Sequence, residues 1–314
     1  MTASRDVALG SGAEFDLIRA MRERWGALAV GVGDDAAVIR PARGEQLVVS
    51  VDAAAEGVSF RREWLSSREI GYRAVTAALS DLAAMAAAPM GVLVAIAVAS
   101  DAHEELMELA DGIADAVRAA RSVIVGGNLT RAERLSLTTT VLGSAFVPVT
   151  RSGARPGDLL YVTGRLGGPA AALRSFEAGK DPSPEVRARF ATPVARLAEA
   201  RWLAARGVTA AIDLSDGLVG DAGHLAAASD VALEIQMERV PVFPGASMED
   251  ALGGGEEFEL LLAARSPLPD QEFSERFAVP ITPIGRIVEG SRDVRVMRDG
   301  KRVATPKGYD HFSR

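Results

Sequence analysis

Two hydrophobic periods run through the chain. Apolar residues recur every three to four positions at 14–25, 67–87, 103–120, 167–178, 184–206 and 217–228, which predicts helices. Short apolar or alternating runs predict strands at 47–51, 90–98, 122–126, 135–146, 158–163, 209–213, 231–236, 258–264, 281–288 and 293–298. The two kinds are interleaved, so the class is α/β or α+β. The most apolar stretch, Ala74 to Ala99, is interrupted by Asp81 and Pro89. A bilayer span would have to bury that charge, so the stretch reads as a buried helix followed by a strand. The turn-rich segment Pro148 to Gly157, PVTRSGARPG, marks the best domain junction and divides the chain into 1–148 and 149–314.

Composition narrows the function classes. The chain has 314 residues, 48% of them hydrophobic, enough for one large domain or two ordinary ones with real cores. Its net charge of −7 argues against non-specific binding to nucleic acid or anionic membranes. An anionic substrate stays open, because a divalent cation reverses the local field. There is no cysteine, which excludes disulfides, thiolate metal sites and a cysteine nucleophile. The N-terminus carries acids and no apolar core of a signal peptide, so a cytoplasmic location is expected.

Acidic residues collect where apolar structure begins or ends. Asp34 and Asp35 follow Gly31-Val32-Gly33, Asp52 follows Val48-Val49-Ser50-Val51, and Asp81 follows Ser80 inside an apolar helix pattern. Asp213 and Asp216 flank Leu214-Ser215 after Ala210-Ala211-Ile212. Any one alone is best read as a helix cap or turn residue. Four such clusters need compensation, because a buried unpaired carboxylate is expensive. The sequence shows no matching set of buried lysines or arginines, and a shared divalent cation is the simpler solution. Hard oxygen ligands suit magnesium, which usually accompanies phosphates.

Glycine-rich segments add weaker signals. VGGNLTR, Val125 to Arg131, reads as a strand ending in a phosphate-type loop. Thr163 to Gly168 and Gly253 to Gly255 could bring backbone amides to a ligand, although a plain turn is the commoner meaning of each. No P-loop is present. Gly31 to Ala36 fits G-x-G-x-x-A, but Asp34 and Asp35 would repel a dinucleotide pyrophosphate, which excludes a Rossmann site. His103, His224 and His311 are scattered, surface or capping roles suit the first two, and no nucleophilic triad is visible.

The motifs GVGDDAAVI, VSVDAAAEGVSF, ALSDLAAMAAAP, VGGNLTR, TRSGARPGDLLYVTG, AIDLSDGLVGDAGHL, GGGEEFEL and KGYDHF, in this order, resemble the thiamine-monophosphate kinase family over nearly the whole chain. That family shares its fold with aminoimidazole ribonucleotide synthetase and selenophosphate synthetase. The resemblance implies two α/β domains, the first pairing in a homodimer so that its sheets close into a β-barrel. It implies transfer of the γ-phosphoryl of ATP to thiamine monophosphate, giving thiamine diphosphate, with Mg2+. Residue by residue, it implies magnesium ligands at Asp34, Asp35, Ser50, Asp52, Asp81, Asn128, Asp213 and Asp216. Of these, Asp35, Asp81 and Asp216 would stand nearest the chemistry. ATP contacts fall at Gly126, Gly127, Asn128, Arg151 and Ser215, and substrate contacts at Ser59, Glu256, Glu257 and Tyr309.

The chain departs from the family pattern at several of these positions. The usual aspartate is Asn128, the usual threonine Val51, the usual histidine Ser59, and a second usual aspartate is Glu257. These changes remove a charge, a hydroxyl ligand and a contact to the substrate phosphate. Two other readings therefore compete with the kinase. One is a weakly active or non-catalytic paralogue that binds nucleotide or thiamine phosphate. The other is an enzyme of the same superfamily with another acceptor, against which the terminal aromatic motif argues.

Overall fold

The computed structural model describes residues 12–33, 36–99, 103–306 and 308–309. The chain divides into two compact units, 1–82 with 87–147, and 83–86 with 148–314. In chain order the first unit contains α1 (Ala13–Trp25), β1 (Gln46–Ala55), α2 (Ser67–Ala84, whose last two residues group with the second unit), β2 (Ala88–Val98), α3 (His103–Ala119), β3 (Ile124–Arg131) and β4 (Ser136–Ala145). The expected buried helix and strand across Ala74–Ala99 are α2 and β2, and no helix among the described residues is long and apolar enough to cross a membrane.

Local chemistry fixes where α2 starts. Ser66 and Glu69 form a reciprocal cap: the Glu69 carboxylate accepts from the Ser66 N–H at 2.9 Å, and the Ser66 hydroxyl accepts from the Glu69 N–H at 3.3 Å. α2 and α3 then meet at two glycines. A Cβ on Gly71 would lie 2.4 Å from the Leu109 carbonyl oxygen, and one on Gly112 would lie 1.8 Å from that of Arg68. α1 is tied to α3 by the Trp25 indole N–H, which donates to the Ala110 carbonyl at 3.0 Å, and by Arg24 on Asp111 at 2.6 Å.

Among the described residues the strands of this unit form one sheet in the order β1-β4-β2-β3. β2 and β3 are parallel, and the other pairs are antiparallel. Its two faces differ. Val48, Leu137, Val141, Val94 and Ile96 are buried, and Leu82 of α2 lies 3.1 Å from where a Cβ on Gly143 would stand, so this face is under the helix. The alternate residues Leu47, Val49 and Val51 are 49%, 54% and 62% exposed. Alternation predicts this two-sided pattern, but an apolar outer face is unusual for a half-buried sheet.

The second unit contains β5 (Leu159–Thr163), α4 (Gly168–Glu177), α5 (Pro184–Ala191), α6 (Leu197–Ala204), β6 (Val208–Asp213), α7 (Leu218–Ser229), β7 (Ala232–Gln236), α8 (Met248–Gly253), β8 (Leu260–Ala264), α9 (Asp270–Phe277), β9 (Ile281–Val288), β10 (Asp293–Arg298) and β11 (Lys301–Arg302). Its sheet runs β11-β10-β7-β9-β5-β8-β6, with only the β10–β7 pair parallel among the described strands. The core joins Leu160, Val162, Ile212, Leu218, Leu225, Leu233, Leu261 and Ile284. The helix expected over 184–206 is two helices. Pro193 cannot continue the first, so α5 stops at Ala191 and α6 begins at Leu197. The short helices α8 and α9 were not expected.

Both units are mixed α/β, as the periodicity implies. Gly112→Ala should test the α2–α3 crossing. Its new Cβ has no room against the Arg68 carbonyl, so a loss of about 1–3 kcal/mol in urea unfolding is expected. An unchanged midpoint would show that the helices can separate freely.

Candidate functional site

In the first unit, β1 and α2 bring three of the expected ligands together. Ser50 and Asp52 lie on the helix-facing side of β1, and the Ser50 hydroxyl donates to Asp81 Oδ2 at 2.5 Å. Ser80, beside Asp81, is buried, whereas Asp81 keeps partial access to solvent. Asp52 Oδ1 accepts from the Ala53 N–H at 2.7 Å. The set is made of hard oxygens from two carboxylates and a hydroxyl, which fits a magnesium ion. Asp34 and Asp35 lie outside the described residues.

VGGNLTR corrects one expectation. The segment is not a loop: β3 continues through Arg131, paired with β2 from Val92–Ile124 to Val98–Arg131 around an irregularity at Val125. Gly127 is required by that pairing, since a Cβ there would stand 2.1 Å from the Val94 carbonyl oxygen. Register also decides where Asn128 points. It lies in the row Ala53–Thr138–Ala95–Asn128, while Asp52 lies in the adjacent row with Thr139, Val94 and Gly127. Neighbouring rows face opposite sides of a sheet. Asn128 is therefore on the open face with Val51, and Ser50, Asp52 and Asp81 are on the other. Ser59 occupies a tight turn in which its hydroxyl accepts from the Ala55 N–H at 3.3 Å.

The second unit gathers Asp213, Ser215, Asp216, Glu256 and Tyr309. Asp213 ends β6, and the turn after it leads into α7. Asp221, in the first turn of α7, folds back. Its Oδ2 accepts from the backbone N–H groups of Ser215 at 3.0 Å, Asp216 at 3.0 Å and Gly217 at 3.1 Å. All three donors lie in the turn just ahead of α7, so one carboxylate reaching back from the helix holds that turn in place. Burial pushes the Asp221 carboxyl up to about 7, and the neighbouring Asp213 and Asp216 charges add to this while the backbone N–H groups oppose it. Ligand atoms of Asp216, Asp221 and His224 all lie within 4.8 Å of one another, an arrangement able to hold a cation. Sequence reasoning missed Asp221 and set His224 aside. An acid four residues after Gly217, at the start of a helical period, was the available signal.

The glycine run before β8 passes alongside this turn. The Glu256 N–H donates to the Ser215 carbonyl at 2.7 Å, and the Phe258 N–H to that of Leu214 at 2.9 Å. A Cβ on Gly255 would meet the Ser215 carbonyl at 2.4 Å, so the approach requires glycine. From the C-terminal segment, the Tyr309 N–H donates to the Asp216 carbonyl at 2.9 Å, and the Tyr309 residue stays 53% exposed. Arg151 is exposed, with its carbonyl held by the Ser229 hydroxyl at 2.6 Å.

Glu257 differs from the expected substrate-side acid. It is 1% exposed, accepts from the Gly167 N–H, and pairs with Arg189 at 3.2 Å. Burial pushes its carboxyl up to about 8, against the pull of Arg189 and Gly167. Glu259 beside it is equally buried. Arg196 Nε donates to it at 2.8 Å and the Thr163 hydroxyl at 2.7 Å. Burial alone would raise Glu259, but Arg196, with Arg189 and Thr163, outweighs it and holds the carboxyl below the usual range. The loop Thr163 to Gly168 is thus bound to internal carboxylates. Because the folded form depresses the Glu259 pKa, its stabilisation is present above the ordinary carboxylate range and is lost as pH falls below it. Glu259→Gln should flatten that acid loss in unfolding measurements and cost about 3–5 kcal/mol at neutral pH, since Arg196 stays buried. A variant as acid-sensitive as the parent would refute this assignment.

The family model described as AIR synthase related protein, N-terminal domain, matches residues 33–145, and its C-terminal counterpart matches 155–298. A thiamine-monophosphate kinase of Rhodopirellula baltica is 34% identical, over 90% of this chain and 92% of its own. The crystal structure of a thiamine-monophosphate kinase from Stenotrophomonas maltophilia is 31% identical, covers 94% of this chain and 98% of its own, and superposes with a TM-score of 0.81. The AaThiL structure, complexed with AMPPCP and TMP, is 30% identical, covers 98% of this chain and all (100%) of its own, and gives a TM-score of 0.74. The chain has the two-domain AIR synthase-like fold and belongs to the thiamine-monophosphate kinase family.

Proposed function

We propose that this chain transfers the γ-phosphoryl group of ATP to thiamine monophosphate, giving thiamine diphosphate, and that magnesium assists the transfer. The observation that supports the reading is the Ser50 hydroxyl on the Asp81 carboxylate in one unit and, in the other, the Asp221-held turn that carries Ser215 and Asp216 directly after Asp213. The acceptor is a phosphate already ionised near neutral pH, so the reaction needs no strong base. Position and charge neutralisation are the main requirements, which suits a chain whose acids cluster and whose histidines do not.

When bound, magnesium supplies the positive charge that draws two anions together and steadies the transferring group. In this reading Ser50, Asp52 and Asp81, with Asp34 and Asp35, hold the ion or ions of the first unit. Asp213, Ser215 and Asp216 serve the second. Gly126, Gly127 and Arg151 meet ATP, Glu256 and Ser59 face the acceptor, and the exposed Tyr309 ring lies on the thiamine. Asp221 keeps the 215–217 turn fixed without needing to touch substrate.

The same reading assigns residues 1–148 to metal and ATP binding and to dimerisation, and 149–314 to the second α/β domain. The exposed apolar face of Leu47, Val49 and Val51 supports the pairing of two copies into a barrel. A weakly active or non-catalytic paralogue is the second reading, favoured by Val51, Ser59 and Asn128.

Turnover with ATP, magnesium and thiamine monophosphate, following thiamine diphosphate, tests the kinase directly. Product is expected; none at saturating magnesium would favour the paralogue. Asp81→Asn and Asp216→Asn should each lower kcat/KM roughly 10²–10³-fold, with unfolding midpoints little changed. Full activity in both would remove these carboxylates from the chemistry. Val49→Glu puts a charge in the middle of the exposed face and should give a monomer by light scattering. A parent chain that is already monomeric would end the dimer proposal.

A further inference from the structure

The covered face of the first unit's sheet holds a polar side chain that the roles above leave unused. Thr139 lies in β4, between Asp52 of β1 and Val94 of β2. It is 1% exposed, and its hydroxyl is buried with no hydrogen-bond partner among the described residues. Such an arrangement is costly, because the hydroxyl has given up water and gained nothing for it. Valine has nearly the same shape and would leave no unpaired hydroxyl behind. Packing therefore does not explain a hydroxyl at this position.

Its neighbours point to a role. Directly paired residues in adjacent strands face the same side, with Cβ atoms about 4.5–5.5 Å apart. Thr139 and Asp52 are such a pair. Two residues earlier on the same face of β1 is Ser50, whose hydroxyl donates to Asp81 at 2.5 Å. One face therefore carries two hydroxyls and, with Asp81 from α2, two carboxylates. Ser50 already has its carboxylate. Thr139 has one within reach, but Asp52 Oδ1 is turned along its own strand to the Ala53 N–H at 2.7 Å.

We propose that Thr139 is a positioning residue of the cation site built on Ser50, Asp52 and Asp81. Its hydroxyl donates a hydrogen bond to the Asp52 carboxylate when that carboxylate turns to a divalent cation. One Asp52 oxygen then binds the cation and the other accepts from Thr139. Carboxylates that ligate metals are themselves hydrogen-bonded, and removing the outer partner typically weakens metal binding about 10–100-fold. The inference rests on the magnesium reading above and deepens it.

Manganese binding to the full chain, followed by electron paramagnetic resonance without nucleotide, tests this. Asp81→Asn identifies the class of Mn2+ bound in the first unit. Thr139→Val should weaken that same class about 10-fold or more, and Thr139→Ser, which keeps a hydroxyl, should restore most of the affinity. Thr139→Val should unfold at the same temperature as the parent or higher when metal is removed, and the magnesium needed for half-maximal turnover should rise with the Mn2+ dissociation constant. Unchanged Mn2+ affinity in Thr139→Val would overturn the role of Thr139 alone. A metal-free Thr139→Val chain less stable than the parent would overturn it too, since the hydroxyl would then already have a partner. A parent chain that binds no Mn2+ would remove the magnesium reading and this inference together.

Discussion

A carboxylate cut off from water organises the second unit. Glu259 cannot remain charged in the interior unless cations and donors come to it, and they come from three separate stretches of chain. Arg196 arrives from the start of α6, Arg189 from α5, and Thr163 from the end of β5. The backbone of Glu259 is used as well, because its carbonyl accepts from the Leu214 N–H at 2.8 Å, just ahead of Ser215 and Asp216. Satisfying one buried charge thereby fixes the glycine run, the Thr163–Gly168 loop and the entrance to α7 relative to one another. The positive φ values of Glu256 and Phe258, 60° and 53°, are tolerated in a segment held this firmly.

The two units support their acids by different means. In the first, a strand hydroxyl reaches a helix carboxylate, so sheet and helix must stay in register for the pair to exist. In the second, the support is one carboxylate collecting three backbone N–H groups. That carboxylate is buried among like charges, and its raised pKa records the burial first and the repulsion of Asp213 and Asp216 after it. A cation beside Asp213 and Asp216 would relieve it. Phosphoryl transfer between anions needs this kind of fixed, charge-compensated frame more than it needs a proton acceptor.

Much of this is legible in the sequence. The mixed class, the helix and strand across Ala74–Ala99, and the association of acids with the ends of apolar elements follow from local periodicity and from the cost of burying charge. Other features resisted for equally physical reasons. Asp270–Phe277 is short and largely polar, with Phe273 its one fully buried side chain, so its helical period is faint. The pattern over 184–206 stays apolar on both sides of Pro193 and conceals the break.

What the sequence determined by itself is which residues carry chemistry and which local element each belongs to. Ser50 and Asp52 share a face of β1 because the strand period is two, and Asp216 precedes a helix because of the turn residues around it. Tertiary structure decided which of them meet. Whether Asn128 joins Asp52 depends on pairing between strands far apart in sequence, where a shift of one residue exchanges the faces. Whether Glu257 meets ligand or Arg189, and whether Thr139 or its neighbour Thr138 stands opposite Asp52, depends on the same long-range geometry. Hydrogen bonds and ion pairs act over a few ångströms of space, and distance along the chain does not report that separation.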